Sequence, residues 1–240
     1  IKSKIITYVS LEELPIDREP IKGGPAGRKY AFWGDPAARE ESTKKIALAL
    51  CALHSLPVPK DLPLVSIYNR ETVFLKRLGF RAGESIPPLH AFIVSTILVI
   101  LRAQRNFAKR QACIVHNDFQ ASNIIITPKK RIGIIDFSLS GKGSPVADIA
   151  NFLVHLRVML GRDLPQKRIG DLQELFLKTY LAQVLEEEKR RVLAELPFWQ
   201  ARSALDIIVI TAQMLHETDP HRGRIINNLV GFIKALALKI

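Results

Sequence analysis

The sequence predicts an α+β protein that is mostly helical and carries one small β-hairpin. Apolar residues recur at helical spacing over most of the chain. Two short isoleucine-rich segments, 124–127 and 132–135, lie on either side of a Pro-Lys-Lys turn at 128–130, and such a pattern indicates a hairpin. Hydrophobic residues make up 48% and charged residues 24% of the 240 residues, which is an ordinary globular composition. That length is sufficient for one large domain or two small ones.

The elements before the hairpin are predicted to be a strand, a loop and two helices. Residues 4–9 are β-branched and aromatic, as in a strand, and the Pro- and Gly-rich stretch 15–36 indicates a loop. A helix is expected from about Arg39 to His54, before the prolines at 57 and 59. A long buried helix is expected from about Pro88 to Ala112. The apolar residues at helical spacing in the first helix are Ile46, Leu50 and Leu53.

The remainder of the chain, residues 147–240, is predicted to be helical by its periodicity. Prolines and glycines predict three interruptions of this helical region, at 161–165, 196–197 and 219–220. The sequence contains no internal repeat and no low-complexity tract.

The loop before the hairpin and the residue after it carry an Asp, an Asn and a second Asp. Asn123 follows Asp118 by five positions, and Asp136 follows Asn123 by thirteen. Because the hairpin lies between them, both carboxylates are expected at one end of it, close enough to share metal ions. An Asp, an Asn and a second Asp in this order are typical of phosphoryl transfer from Mg-ATP. Loop solvation and helix capping are the alternative explanations of each Asp.

At these residues the chain resembles the aminoglycoside phosphotransferase and choline kinase superfamily, relatives of protein kinases that phosphorylate small molecules. The similarity extends, in order, from about residue 5 to residue 155 and also includes segment 49–59. It implies a protein-kinase-like C-terminal lobe over residues 13–240, with residues 1–12 as the hinge and the last strand of an N-terminal lobe. The motifs that carry it are His116-Asn117-Asp118, Asn123, Ile135-Asp136-Phe137, and a Gly/Pro loop that leads to Asp148-Ile149-Ala150.

The resemblance implies a role for each polar residue of these motifs. Asp118 would be the catalytic base, and Asn123 and Asp136 would hold the magnesium ions. His116 would support the site structurally. Asp148 lies near a helix start, where capping is the simplest role, and the resemblance implies that its carboxylate also binds the loop of Asp118 from beneath.

The resemblance also implies where ATP, the second expected cofactor beside Mg²⁺, would bind. Ile125 and Ile135 would lie against the adenine, although packing in the core explains these two apolar residues equally well. Tyr8 and Val9 would form the hinge whose backbone pairs with the adenine edge. Backbone pairing leaves no pattern in the side chains, so this placement rests on position alone.

Two features of the chain depart from the family pattern. The usual Gly between the His and the Asp is Asn117, as in choline-kinase-like members. The Gly-rich loop and the Lys that contact the ATP phosphates do not appear before the hinge. The N-terminal lobe is therefore expected to be missing from this chain, and the fragment alone is expected to transfer phosphate poorly or not at all.

The charge of the chain bears on its partners. A formal net charge of +12 and a pI of about 9.9 favour anionic ligands, or reflect a solvated basic surface without a partner. Because the charge disfavours cationic acceptors, the expected acceptor is a neutral or anionic small molecule with a hydroxyl group, such as a sugar, and a protein or lipid-linked acceptor is the alternative. An aminoglycoside- or choline-type kinase is one alternative, and a catalytically weak or inactive pseudokinase-like binding module is another. A basic binder of nucleic acid or of membrane surfaces is a third, but no nucleic-acid-binding motif or basic amphipathic helix supports it.

Cysteine content and hydropathy give the remaining expectations. Cys51 and Cys113 lack CxxC spacing, so zinc and redox motifs are absent and buried, reduced thiols are expected, as in a cytoplasmic protein. The most apolar window, 91–101, is shorter than the roughly 20 residues that span a bilayer, so no membrane span is expected. The sequence leaves the oligomeric state open.

Overall fold

Five α-helices, four short strands and two short 3-10 helices, Ala121–Asn123 and Phe137–Leu139, have described bounds in this computed structural model. The structure describes residues 36–65, 91–92, 95–96, 113–126, 132–161, 164–214 and 218–237. The helices are α1 (Pro36–His54), α2 (Pro145–Leu160), α3 (Gln166–Leu181), α4 (Glu186–Met214) and α5 (Pro220–Ala237). The strands are β1 (Cys113–Val115), β2 (Ile124–Ile126), β3 (Ile132–Ile134) and β4 (Gly141–Gly143). The mostly helical α+β architecture is the one that the sequence predicts.

The strands form two antiparallel pairs, one nested within the other along the chain. The inner pair is β2 with β3, in the register Ile124 opposite Ile134, and it is the predicted hairpin, whose turn lies outside the described residues. The outer pair is β1 with β4, in the register Cys113 opposite Gly143. Residues 63–65 lie beside β4, where Val65 N–H donates to the carbonyl of Lys142 at 2.8 Å.

Gly141 of β4 lies close against residues 63–65. A Cβ atom at this position would lie 2.6 Å from the carbonyl oxygen of Pro63 and 2.8 Å from Val65 Cγ2. Gly141→Ala is therefore expected to lower the free energy of unfolding by about 1–3 kcal/mol, measured by urea denaturation. Gly170→Ala, in α3, is the matched control, because apart from its chain neighbours and the backbone of its own helix no atom lies within 4 Å of the new methyl group. Equal urea midpoints for the two variants would contradict the packing described.

Helices α1, α2 and α3 and the two strand pairs share one apolar core. The predicted core residues of α1, Ile46, Leu50 and Leu53, are fully buried. In α2 the cap is Ser144, whose hydroxyl accepts a hydrogen bond from Val146 N–H at 3.4 Å. The loop residue Phe119 is fully buried and begins a row of rings that continues through α2 and α3. Its ring centroid lies 5.7 Å from that of Phe152, which stacks on Phe176 at 4.5 Å.

The predicted helix break at 196–197 is wrong, because α4 continues through Pro197. A proline inside a helix costs about 3 kcal/mol, since it removes a hydrogen bond and crowds the preceding turn. Leu196, Phe198 and Trp199 are all buried, and each buried side chain of this size contributes about 1.5–3 kcal/mol. Together they outweigh the cost of the proline. The chain instead breaks at residues 182–185, between α3 and α4, which the sequence pattern did not predict.

Several predictions fall wholly or partly on residues that the structure does not describe. The predicted strand 4–9 and the hinge at Tyr8 and Val9 lie outside the described residues. Of the predicted loop 15–36, only Pro36 is described, as the first residue of α1. Of the predicted helix 88–112, only residues 91–92 and 95–96 are described, and these are helical.

The described residues belong to two units, and the division falls within α4. The first unit comprises those within Ile1–Val65 and Ala112–Ala194, and the second comprises those within Ser66–Gln111 and Glu195–Ile240. All of the described candidate site residues lie in the first unit. Over the described part of the chain, no helix is both long enough and apolar enough to cross a bilayer.

Candidate active site

Two loops that connect the outer strand pair to the inner pair carry the predicted site residues. The first loop, residues 116–123, runs from β1 to β2, and the second loop, residues 135–140, runs from β3 to β4. Because β1 pairs with β4 and β2 with β3, the two loops lie side by side. Ile135 N–H donates to the carbonyl oxygen of Asn123 at 2.9 Å, so the loops are also joined directly.

His116 joins the two loops through its ring. Its Nε2 lies 2.9 Å from the carbonyl oxygen of Ile135, and its Nδ1 lies 3.3 Å from the backbone N–H of Asp118. A carbonyl only accepts and a backbone N–H only donates, so Nε2 carries the proton and Nδ1 accepts. The residue is fully buried and its ring lies 4.8 Å from that of Phe137. These contacts fit a supporting role for His116.

The carboxylate of Asp118 accepts hydrogen bonds from two side-chain amides. Asn123 Nδ2 donates to Asp118 Oδ2 at 2.9 Å and to the Asp118 backbone carbonyl at 2.9 Å. Gln120 Nε2 lies 3.2 Å from each carboxylate oxygen. These contacts fix the direction of the half-buried carboxylate. Since Asn123 uses its nitrogen for both contacts, its oxygen Oδ1 is the atom that suits a metal ion.

Asp136 occupies the left-handed backbone region, with φ 64° and ψ 61°. Among residues with a side chain, Asp and Asn adopt this conformation most readily. The side chain is exposed, and its Oδ1 accepts a hydrogen bond from the Ser138 hydroxyl at 2.7 Å. Asp136 therefore presents an oriented carboxylate at the start of the second loop, next to the loop that carries Asp118 and Asn123.

Asp148 lies in the first turn of α2, but it is bonded to the first loop. Its Oδ2 accepts from His116 N–H and its Oδ1 from Asn117 N–H, each at 2.7 Å. Asn117 is the second described residue with a side chain in the left-handed region, with φ 61°, and the carboxylate holds this turn directly before Asp118. The helix cap itself is Ser144, so capping does not explain Asp148.

Three residues that the sequence analysis did not select also contact this site. Gln120 contacts the Asp118 carboxylate as described above. His54, the last residue of α1, lies 3.1 Å from Asp148 Oδ2 through Nε2. Tyr180 of α3 lies 2.8 Å from His54 Nδ1 through its hydroxyl. Two sequence signals were present for His54: it is a polar side chain at the end of an apolar helix face, and it lies within segment 49–59, which is similar to the family pattern.

Ile125 is the middle residue of β2 and Ile135 directly follows β3. Both are half-buried. Ile125 pairs with Gly133 across the hairpin, and Ile135 contributes both of its backbone groups to contacts with the first loop. A half-buried side chain is compatible with both predicted roles, which are contact with the adenine and packing in the core.

The donor set fits a magnesium ion that shares its coordination with a nucleotide. Among the described residues, no group of three or more His, Cys, Asp and Glu side chains has metal-binding geometry. Mg²⁺ in nucleotide-dependent enzymes takes one or two carboxylates, and phosphate oxygens and waters supply the rest. One carboxylate at Asp136 and one amide oxygen at Asn123, on adjoining loops, match that requirement.

The cysteines do not contribute a nucleophile. Cys51 is buried and Cys113 is half-buried, and both are free. Burial raises the pKa of both thiols, so they are protonated at neutral pH and unreactive. Cys113 Sγ lies 3.7 Å from the carbonyl oxygen of Gly143, as expected of a thiol within the outer strand pair.

Fold and site together describe a protein-kinase-like lobe, in which an Asp, an Asn and a second Asp lie on two adjoining loops. The chain belongs to the phosphotransferase enzyme family (APH), whose sequence model matches residues 19–196. The comparison with curated protein sequences gives no match.

Solved structures with the same fold include small-molecule kinases. An ethanolamine kinase from Plasmodium vivax has a TM-score of 0.58 and 19% identity over 88% of this chain. An amicoumacin kinase in complex with AMP-PNP, Ca²⁺ and Ami has a TM-score of 0.61 and 14% identity over 85% of this chain. The ADP-bound aminoglycoside phosphotransferase APH(2'')-Ib has a TM-score of 0.53 and 17% identity over 98% of this chain. At these identities the likeness shows the fold alone.

The chain is shorter than these neighbours. It spans 61% of the ethanolamine kinase and 60% of the amicoumacin kinase, and it spans 82% of the aminoglycoside phosphotransferase.

Proposed function

We propose that this protein transfers the terminal phosphoryl group of ATP to a hydroxyl group of a small molecule. The single observation that carries the proposal is the contact of Asn123 Nδ2 with Asp118 Oδ2 at 2.9 Å, beside the loop that presents Asp136. In this arrangement a carboxylate that can accept a proton adjoins two oxygen ligands for a metal ion. Membership of the phosphotransferase enzyme family supports the same reaction.

Each residue of the site has a distinct part in this proposal. Asp118 accepts the proton of the attacking hydroxyl, and the amides of Gln120 and Asn123 hold its carboxylate in place. Asn123 Oδ1 and Asp136 would hold Mg²⁺, which neutralises charge on the phosphate oxygens when it is bound. His116 keeps the two loops at a constant separation.

The nucleotide is proposed to bind between this lobe and a preceding one. The amicoumacin kinase with the same fold holds AMP-PNP together with a divalent cation, which supports ATP and a metal ion here. Ile125 and Ile135 are proposed to face the adenine, and Tyr8 and Val9 to form the hinge. Residues 1–12 would then close an N-terminal lobe that supplies the remaining phosphate contacts, while residues 13–240 form the C-terminal lobe.

The acceptor is proposed to be a neutral or anionic hydroxyl compound such as a sugar. The formal net charge of +12 repels polycations and attracts anions at long range. The names of several neighbours refer to ethanolamine and aminoglycosides, which are cationic. The positive charge of this chain supports a neutral or anionic acceptor instead.

A panel of acceptors tests this proposal with the full-length protein. Sugars, sugar acids, choline, ethanolamine and kanamycin are each incubated with Mg-ATP, and ADP release is compared with ³¹P NMR of the product. We expect turnover with a neutral or anionic sugar hydroxyl. Exclusive turnover of a cationic amine would overturn the acceptor class and leave the reaction type standing. If no acceptor is phosphorylated and Asp118→Asn has the same ATP hydrolysis as the wild type, the protein is a binding module.

A further inference from the structure

The side chain of Gln120 lies directly beside the carboxylate of Asp118. Its Nε2 is 3.2 Å from Oδ1 and 3.2 Å from Oδ2 of Asp118. An ionised carboxylate only accepts hydrogen bonds, so the amide nitrogen of Gln120, and not its oxygen, faces Asp118. The amide oxygen Oε1 is bonded to the same carbon as Nε2, and it therefore lies close to the carboxylate but is directed away from it.

The backbone around Gln120 sets the direction of this side chain. Gln120 is extended, with φ −134° and ψ 161°, and its side chain makes no capping hydrogen bond to the short helix that follows. Its backbone carbonyl accepts from Asn123 N–H at 2.9 Å. The preceding residue, Phe119, is fully buried, and successive side chains of an extended segment point to opposite sides. The half-buried side chain of Gln120 is therefore directed away from the core that holds Phe119.

The two oxygens of Asp118 differ in the donors that they already have. Oδ2 accepts from Asn123 Nδ2 at 2.9 Å as well as from Gln120. Within the described part of the chain, Gln120 is the one donor to Oδ1. A carboxylate oxygen has about two lone-pair sites, so Oδ1 keeps one site for the attacking hydroxyl. A hydroxyl bound there lies beside the Gln120 amide, because the amide contacts the same oxygen atom.

We propose that Gln120 Oε1 accepts a hydrogen bond from a second hydroxyl group of the acceptor molecule, on the carbon next to the hydroxyl that is phosphorylated. This inference rests on the function proposed above and narrows the acceptor to a vicinal diol, as in a sugar. The first hydroxyl gives its proton to Asp118 Oδ1, and the second donates to Oε1 while Nε2 stays on the carboxylate. Two hydroxyls on neighbouring carbons lie about as close together as hydrogen-bonded atoms, so they suit two oxygens on side chains in direct contact.

An ammonium group next to a hydroxyl has the same hydrogen-bonding chemistry, because an amide oxygen accepts from N–H as well as from O–H. Ethanolamine has this arrangement, whereas choline has no N–H group. The formal net charge of +12 disfavours a cationic acceptor, so the second donor is a hydroxyl. Comparison of sugars with the two amines distinguishes these donors.

Deoxy sugars and Gln120→Met remove the contact from either side in the full-length protein. The sugars of the acceptor panel, beginning with D-ribose and D-glucose, are each compared with their monodeoxy analogues. Loss of a neutral hydrogen bond costs roughly 3- to 10-fold, so removal of the hydroxyl next to the reacting one should lower kcat/KM of the wild type by that factor. Gln120→Met keeps the length of the side chain but has no amide. It should lower kcat for every acceptor, because Asp118 loses a donor, and bring the diol and its deoxy analogue to within about twofold in kcat/KM.

Gln173→Met is the matched control. Gln173 of α3 is likewise half-buried, and its Nε2 donates to the carbonyl oxygen of Leu153 at 2.7 Å, so its loss should leave the diol preference unchanged. A diol preference that survives in Gln120→Met, or the absence of any preference in the wild type, would overturn the inference. So would turnover of ethanolamine without turnover of any sugar, since the second donor would then be an ammonium group.

Binding measurements separate this inference from the reaction type. The affinities of the same sugars and deoxy analogues are measured by calorimetric titration with Mg²⁺ and a non-hydrolysable ATP analogue present. If the wild type phosphorylates no acceptor, the proposed function fails, but a binding preference for the diol that Gln120→Met abolishes would still establish the contact. Equal affinities for the diol and its deoxy analogue, together with no turnover, would overturn both.

Discussion

Asp118→Asn is expected to lower kcat by about 10²- to 10⁴-fold, the range that a positioned general base contributes. The amide that replaces the carboxylate has the same shape but cannot accept the hydroxyl proton. The hydrogen bond from Ser138 to Asp136 Oδ1 does not involve this side chain, so the affinity for Mg-ATP should remain within a few-fold of the wild type. The measurements are steady-state phosphorylation of the acceptor found in the panel, and calorimetric titration with a non-hydrolysable ATP analogue.

Asp171→Asn is the matched control for this substitution. Asp171 lies on α3, half of its side chain is exposed, and its nearest ion-pair contact is a 3.9 Å approach to Arg168. The same loss of one negative charge there should leave kcat unchanged. If Asp118→Asn retains wild-type kcat, Asp118 is not the base. If it loses nucleotide affinity together with kcat, the substitution has disturbed Asn123, the proposed metal ligand that is hydrogen-bonded to Asp118.

Asp136→Asn is expected to abolish most activity at ordinary Mg²⁺ concentrations. A metal ion contributes several kcal/mol of charge stabilisation in the transition state, so impaired binding should lower kcat by roughly 10²-fold or more. Asn is the informative replacement because it tolerates the left-handed backbone of Asp136, whereas Ala would add strain at the same position. The measurement is the initial rate as a function of Mg²⁺ at a fixed ATP concentration.

Partial recovery at high Mg²⁺ would identify the defect as metal affinity. Ser138→Ala provides a graded comparison, since it removes the 2.7 Å hydrogen bond to Asp136 Oδ1 but keeps the carboxylate. Ser138→Ala should raise the Mg²⁺ concentration that gives half of the maximal rate by only a few-fold, in line with the loss of one hydrogen bond to a charged group. An Mg²⁺ dependence unchanged in Asp136→Asn would exclude Asp136 as a ligand.

The sequence predicted the parts of this fold that depend on short-range patterns. Two isoleucine-rich segments around a proline turn predicted the hairpin. In the structure its strands are Ile124–Ile126 and Ile132–Ile134. Since Asp118 and Asn123 precede that hairpin and Asp136 follows it, their closeness could also be predicted. The helix ending at His54 was predicted because its apolar face and the prolines after it are local signals.

Features that depend on contacts between distant elements could not be predicted. Proline at 197 suggested a break, but burial of its neighbours decides the outcome, and burial is a tertiary property. His54 contacts Asp148 and Tyr180, which are 94 and 126 positions away along the chain. The left-handed backbone at Asn117 could not be predicted from the sequence either. It explains why this position suits Gly or Asn, the two residues that adopt this conformation at least cost.

The nesting of the two strand pairs has a consequence for the order of folding. The inner pair, β2 with β3, closes a short loop and can form early, whereas β1 and β4 must wait until the chain between them has contracted. Both site loops lie between the inner and the outer pair. Their geometry is therefore complete only when the outer pair has closed. A molecule in which that pair alone has opened keeps its helices and its hairpin but has no working site, so activity should be the first property lost on heating and the last regained on refolding.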